Sequence, residues 1–192
     1  SSGGGISVLS AQMLSNSDFS TGAFAAEYGN ALSGVFDLKF RNGNNKNTEF
    51  TLKAGVLGLE AAVEGPFSKN YNGSFLINYR YSTLSILDKM GIDLLGELNF
   101  SDLNYHINLP TKKHGTFSLF GMHGWSSQKG NEDLDTLEMN AIFHRNNFEF
   151  ISNMSVDGIK HSINPWKNGY LKTTVAYTQS KNFITEDQKT IY

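Results

Sequence analysis

The residue types that do chemistry are present in this chain, but not in the patterns that chemistry needs. Its five histidines fall at positions 106, 114, 123, 144 and 161. None of these intervals matches a metal-ligand spacing. His106 and His123 lie on either side of a reversal and could meet across a hairpin; the plainer reading, and the one preferred, is ordinary wall or loop residues. Glu132, Asp133 and Asp135 crowd carboxylates into one polar run, and hard cations such as Ca²⁺ favour such clusters. That run lacks the EF-hand spacing and its glycine, so it reads as a solvated loop. There is no G-x-S-x-G, no H-E-x-x-H, no P-loop and no G-x-G-x-x-G opening a helix. Cysteine is absent, which removes disulfides, thiolate zinc sites and cysteine nucleophiles. The expectation is a protein that is not an enzyme and uses no metal or cofactor.

Composition points to strands. The chain has 192 residues, with 16 basic against 18 acidic side chains and a net charge of −2. A nucleic-acid binder would carry a basic patch or stripe, so nucleic acid is not an expected partner. Charged residues make up 18%, below the roughly 25% of soluble domains. Aromatics reach 12% and there are 19 glycines, a balance that suits a β-rich protein and an outer-membrane barrel in particular. The opening SSGGGISVLS shows no basic n-region and no apolar h-region, and is read as the start of a mature or truncated chain. No run of about 18 apolar residues occurs, so no transmembrane helix is expected. Barrel strands alternate and escape that test.

Two regions are legible. Residues 1–44 are Gly/Ser/Ala-rich and irregular; from residue 45 onward the chain reads as successive strands. The join is the polar cluster Arg41 to Thr48, RNGNNKNT. In the first region Ile6 to Leu9 and Asp18 to Ser20 are short strand candidates, and Ser10 to Leu14 a short helical turn. Val35 to Phe40 alternates apolar Phe36, Leu38 and Phe40 with Val35, Asp37 and Lys39, as a half-buried strand does.

The second region holds about seven strand candidates. Phe50 to Val63 shifts its apolar phase near Gly55 and Gly58, where a bulge would reset the facing. Phe75, Ile77, Tyr79 and Tyr81 share one face of the next strand, against Leu76, Asn78, Arg80 and Ser82. Leu103 to Leu109, the reversal Pro110 to Gly115 and the return from Thr116 to Ser126 form the clearest hairpin. Leu137 to Phe143, Phe148 to Val156 and Tyr170 to Thr178 follow. The three prolines fall at strand ends or in a connector, where no ladder donor is missed. Tyr79, Tyr81 and Trp125 suit either an interfacial aromatic belt or ordinary strand positions.

The join between the regions carries a resemblance. Asp18-Phe19, Thr21-Gly22, Ala23 to Gly29 with its Tyr28-Gly29 pair, Ser33-Gly34 and then Val35 to Lys39 resemble the end of the plug domain of TonB-dependent outer-membrane receptors. The strings AEYGNALSGVFDLKFRNGN, AAVEGPF and NYRYSTL look like receptors of the Bacteroidetes type that carry a carboxypeptidase-regulatory-like domain. The likeness is specific over residues 3–84, and residues 100–125 fit early barrel strands.

The resemblance implies an all-β, mainly antiparallel chain: a partial transmembrane β-barrel (residues 45–192) preceded by the C-terminal part of a plug (residues 1–44). Gly22, Glu27, Tyr28, Gly29 and Gly34 would be the plug motif, with the glycines supplying positive φ or close backbone approach. Glu27, a carboxylate in apolar surroundings, would pair with Arg80 of the wall. The implied work is uptake of a nutrient ligand (iron chelate, vitamin, glycan or peptide) across the bacterial outer membrane. The implied partners are the TonB energy-transducing complex, outer-membrane lipid and that ligand. No TonB box is visible, and about 22 strands at about 10 residues each exceed this chain, so a fragment is expected. Two other readings remain: a small self-contained outer-membrane barrel of structural or adhesive role, and a secreted carbohydrate-binding β-sandwich.

Overall fold

The computed structural model describes residues 10–21, 29, 34–56, 58–82, 84, 97–130 and 146–188. Over these residues the protein is all-β and antiparallel. A 3-10 turn spans Ala11–Met13, and two short strands, β1 (Asp18–Ser20) and β2 (Val35–Asp37), form a ribbon. The remaining strands form one seven-stranded sheet in sequence order. They are β3 (Glu49–Gly55), β4 (Gly58–Ser68), β5 (Tyr71–Ser82), β6 (Glu97–Pro110), β7 (Thr116–Gly130), β8 (Asn146–Ile163) and β9 (Leu171–Gln188). Each strand pairs with the next, which is the simplest outcome of successive reversals.

The turns follow from local chemistry. Between β6 and β7 the Thr111 N–H donates to the Gly115 carbonyl at 2.8 Å, and the His114 N–H donates to Thr111 Oγ1 at 2.9 Å. Gly115 adopts φ +74°, a conformation side chains other than glycine's resist. Ser10 caps the 3-10 turn, its Oγ accepting from the Gln12 N–H at 3.1 Å.

Three sequence expectations change. The phase shift at Gly55 and Gly58 is a reversal and not a bulge: the two glycines sit opposite each other where β3 turns into β4. Either device shifts side-chain parity by one, so the pattern alone could not separate them. Pro66 lies inside β4 and not at its end. It is tolerated because β3 stops pairing at Glu64 and the β4–β5 register shifts between Pro66 and Ser68. The strand expected to reach Phe40 ends at Asp37, because Lys39 and Phe40 change partners. The Lys39 carbonyl accepts from the Ser15 N–H at 2.8 Å, and Phe40 bridges to Leu14. The candidate strands at Ile6 to Leu9 and Leu137 to Phe143 lie outside the described residues.

The two faces of the large sheet are unlike. One is covered, chiefly over β4 to β6, by Ser10 with the 3-10 turn and by residues 40–44, and carries Glu60, Ala62, Glu64, Leu76, Asn78, Asp102, Asn104 and His106. Leu76, Asn78 and Asn104 are completely buried there. The other face is open. It exposes Phe50, Leu52, Leu59, Ile77, Tyr79, Tyr81, Trp125, Val175 and Tyr177, each 38% or more accessible. Polar groups are therefore inside and apolar ones outside, the reverse of a water-soluble sheet. Among the described residues no helix is long and apolar enough to cross a membrane, which says nothing of strands.

Candidate functional site

The best-built polar site is the junction where the N-terminal segment meets the covered face. The 3-10 turn and the stretch after β2 run side by side there. The Arg41 N–H donates to the Met13 carbonyl at 2.9 Å, and Met13 is fully buried. This pairing fixes the backbone of Arg41 and aims its side chain at β4.

Arg41 grips Glu64 with both terminal nitrogens, at 2.8 and 2.6 Å, while its Nε donates to the Gln12 carbonyl at 2.6 Å. Glu64 also accepts from the Asn44 N–H at 2.7 Å. The fork geometry and the extra donor make this the strongest kind of protein ion pair. Hydrogen bonding to Glu64 holds the Arg41 guanidinium above its ordinary pKa, with burial opposing. The Asn44 side chain then closes the turn, accepting from the Lys46 and Asn47 N–H groups at 2.8 and 3.1 Å.

Around this pair the contact is dense. Gly43 is buried, and a Cβ added there would lie 2.0 Å from the Phe75 carbonyl oxygen, so the segment approaches β5 as closely as backbone allows. His106 Nδ1 sits 2.9 Å from the Arg41 carbonyl, which makes that nitrogen the protonated one. Phe40 packs against His106 and Phe120, with ring centroids 5.9 and 6.0 Å apart. Ser10 donates to Glu60, which also accepts from Asn78 Nδ2 at 2.7 Å.

At the far end of the segment Lys39 bonds Asp18 at 2.7 Å and Asp37 at 3.3 Å, tying β1 to β2. The hydrogen bonds Lys39 donates to Asp18 and Asp37 hold its ammonium above the usual lysine range.

The sequence-derived site residues are placed as follows. Gly22, Glu27 and Tyr28 lie outside the described residues. At Gly34 a Cβ would meet the side-chain ring of Phe19 at 3.2 Å. Gly29 is exposed in a turn, and a Cβ there would meet nothing within 4 Å among the described residues. Arg80 is engaged by Asp102 on the neighbouring strand, Nε donating at 3.0 and 2.9 Å and Nη2 at 2.8 Å. Asp102 also accepts from Asn104 Nδ2 at 2.9 Å. The ion pair that joins segment to sheet among the described residues is Arg41–Glu64.

His106 and His123 do not meet. His106 stands opposite Phe120 on the covered face, and His123 opposite Leu103 on the open face. The register sets them on opposite faces, which the hairpin alone did not reveal. Glu132, Asp133, Asp135 and His144 lie outside the described residues. Among the described residues no group of three His, Asp or Glu side chains is placed to hold a metal ion.

The sequence reading missed Arg41, Gly43, Asn44 and Glu64. The first three looked like a solvated linker, and Glu64 like one more strand charge. The signal available was a glycine and an arginine inside an otherwise Asn-rich turn. What the junction can do is hold two parts of the chain together through Arg41 and Glu64. No protein-family model matches this chain, and no curated protein or solved structure is similar to it.

Proposed function

We propose that the chain is part of a TonB-dependent receptor of the bacterial outer membrane. Residues 1–44 are the end of its plug and residues 45–192 the first strands of its barrel wall. The observation that carries this reading is the inverted sheet. Asn78 and Asn104 are 0% accessible, while Ile77, Tyr79 and Tyr81 on the opposite face of β5 are 38, 44 and 47% accessible. In water such a sheet loses twice, wetting apolar side chains and desolvating polar ones. In a barrel wall it gains, with lipid outside and a polar plug inside.

Further features support the reading. The connections at one end of the sheet are short, at 69–70, 111–115 and 164–170; at the other end the two-residue step from Gly55 to Gly58 stands beside the longer stretches from Ser82 to Glu97 and from Gly130 to Asn146. Short inner turns and long outer loops are the asymmetry of outer-membrane barrels. The open face also changes character obliquely to the strand register. The row Val63, Ile77, Tyr105, Gly121, Asp157, Tyr177 is apolar on β4 and β5 and charged on β8. The next row toward the short turns, Phe75, Ile107, Leu119, Ile159, Val175, is apolar throughout. A level lipid boundary crossing tilted strands produces such an oblique edge. Strands β8 and β9 have 18 residues each, more than the about 9–11 that cross the hydrocarbon, so the wall extends beyond it.

The other readings are less well supported. A closed small barrel would pair its first and last strands, whereas among the described residues β3 and β9 each pair on one side alone. A sandwich would need a second sheet over the open face, and the other sheet among the described residues is the β1–β2 ribbon.

On this reading a nutrient ligand (iron chelate, vitamin, glycan or peptide) binds from outside, and TonB, acting through the upstream plug, displaces the plug from the wall. The Arg41–Glu64 junction is one of the contacts that must hold or yield. No covalent chemistry and no cofactor take part. The test is fractionation of the source cells with and without a working TonB complex. The protein is expected in the outer-membrane fraction, with ligand uptake lost when TonB is lost. Recovery in a soluble fraction would overturn the proposal.

A further inference from the structure

Away from the junction, the open face carries a second built feature. The rings of Tyr105, His123 and Trp125 lie side by side there. Tyr105 and His123 have centroids 6.3 Å apart and planes 19° apart; His123 and Trp125 have 6.1 Å and 18°. At that spacing near-parallel rings are laterally offset and form a shelf, not a face-to-face stack. Asp157 Oδ1 fixes the shelf, accepting from the Tyr105 hydroxyl at 2.6 Å and lying 3.0 Å from His123 Nε2. Gly121 makes room for it, since a Cβ there would lie 2.2 Å from the Tyr105 ring and 2.8 Å from Asp157 Oδ1. Beside Trp125, itself 46% accessible, is a notch of about 290 Å³ lined by Tyr81, Asn99, Ser101, Ile151 and Asn153.

We propose that this shelf and notch hold the saccharide headgroup of a glycolipid in the outer leaflet. The inference rests on the outer-membrane reading above. A sugar ring offers one C–H face and a rim of hydroxyls. A flat, exposed aromatic surface takes the first, and amide, hydroxyl and carboxylate groups at its edge take the second. Trp125 and the notch stand toward the end of the sheet with the longer connections, the outward side on this reading, while Tyr105 and Asp157 sit nearer the short-turn ends of β6 and β8. Toward the short-turn end, the same face continues into Leu119, Ile107 and Phe75, against which acyl chains can lie. A headgroup site contiguous with an apolar band fits an amphiphile, not a free sugar. Asp157, costly if left bare toward hydrocarbon, is held by the Tyr105 hydroxyl and His123.

The test is native mass spectrometry of the full-length protein in detergent, titrated with deep-rough lipopolysaccharide, its delipidated oligosaccharide, or phosphatidylethanolamine. Flotation with lipid vesicles is measured in parallel. Saturable lipopolysaccharide binding is expected, weakened about tenfold or more by Trp125→Ala and by Asp157→Ala, as for loss of one anchoring side chain. Asn153→Ala, which leaves the ring shelf intact, is expected to weaken it by a smaller factor. Equal binding of phosphatidylethanolamine, or of the free oligosaccharide, would overturn the proposal, as would unchanged affinity in all the variants. Flotation without glycolipid preference overturns this site alone; failure to float overturns the outer-membrane reading itself.

Discussion

Arg41 and Glu64, 23 positions apart in sequence, meet in two hydrogen bonds of 2.8 and 2.6 Å. The Glu64 side chain is 10% accessible and that of Arg41 29%. Removing one partner leaves the other charge partly desolvated without a counter-ion. For a fully buried pair that costs about 3–5 kcal/mol; the partial exposure of Arg41 lowers the expectation to about 2–3 kcal/mol. Arg41→Ala should therefore free the N-terminal segment to proteolysis while the sheet stays intact. Arg41→Lys should rescue only part, because an ammonium cannot reproduce the fork. The check is limited proteolysis with a double-mutant cycle on Glu64→Ala. A coupling below about 0.5 kcal/mol would mean the pair does not hold the segment.

Gly43 and Gly29 make a matched comparison. A methyl group on Gly43 would overlap the Phe75 carbonyl oxygen at 2.0 Å, while one on Gly29 would meet nothing within 4 Å among the described residues. Neither needs positive φ, so the contrast is purely steric. Gly43→Ala should destabilise by about 2 kcal/mol or more, with Gly29→Ala inside about 0.5 kcal/mol. Denaturant unfolding of both variants in one detergent decides it. Similar midpoints would show that the segment does not rest on β5 in solution.

Legibility in the sequence followed the range of the interaction. The Pro110 to Gly115 reversal, β1 and the turn at Ala11–Met13 were readable because turn residues and period-two alternation are local signals. β8 and β9 were read too short. Asn153, Ser155 and Asp157 put polar groups on the open face, and this broke the alternation that marks a strand. The junction was not readable at all. Arg41 and Gly43 sit in a polar stretch that has every local mark of a linker, and only the fold brings β4 and β5 beneath them.

Lys39 gives a pH dependence whose sign follows from its partners. Hydrogen bonds to Asp18 and Asp37 raise its pKa above 10.5. The stability it lends the β1–β2 ribbon is therefore complete below pH 10.5 and is lost as pH rises through the raised value. An NMR titration of the Lys39 side chain should show a midpoint above 10.5, and Asp18→Asn should bring it down. A midpoint at or below 10.5 in the unaltered protein would show that the ion pairs do not persist in solution.

Ile77 and Asn78 are adjacent in sequence and opposite in fate, one 38% accessible and the other 0%. Their contrast tests which solvent the open face meets. At a half-exposed site on a water-soluble sheet, Ile77→Lys would be nearly neutral, within about 0.5 kcal/mol. On a lipid-facing wall the same change puts an ammonium into hydrocarbon and should cost about 2–4 kcal/mol near the midplane. Ile77 lies within the apolar run from Phe75 to Tyr81 on β5, so a cost within that range is expected. The measurement is urea unfolding of the full-length protein from lipid vesicles, with Lys introduced at Ile77 and, as reference, at the exposed turn residue Asn70. A large cost at Ile77 with none at Asn70 places the face in lipid; equal, small costs at both would return the sheet to water and remove the receptor reading with it.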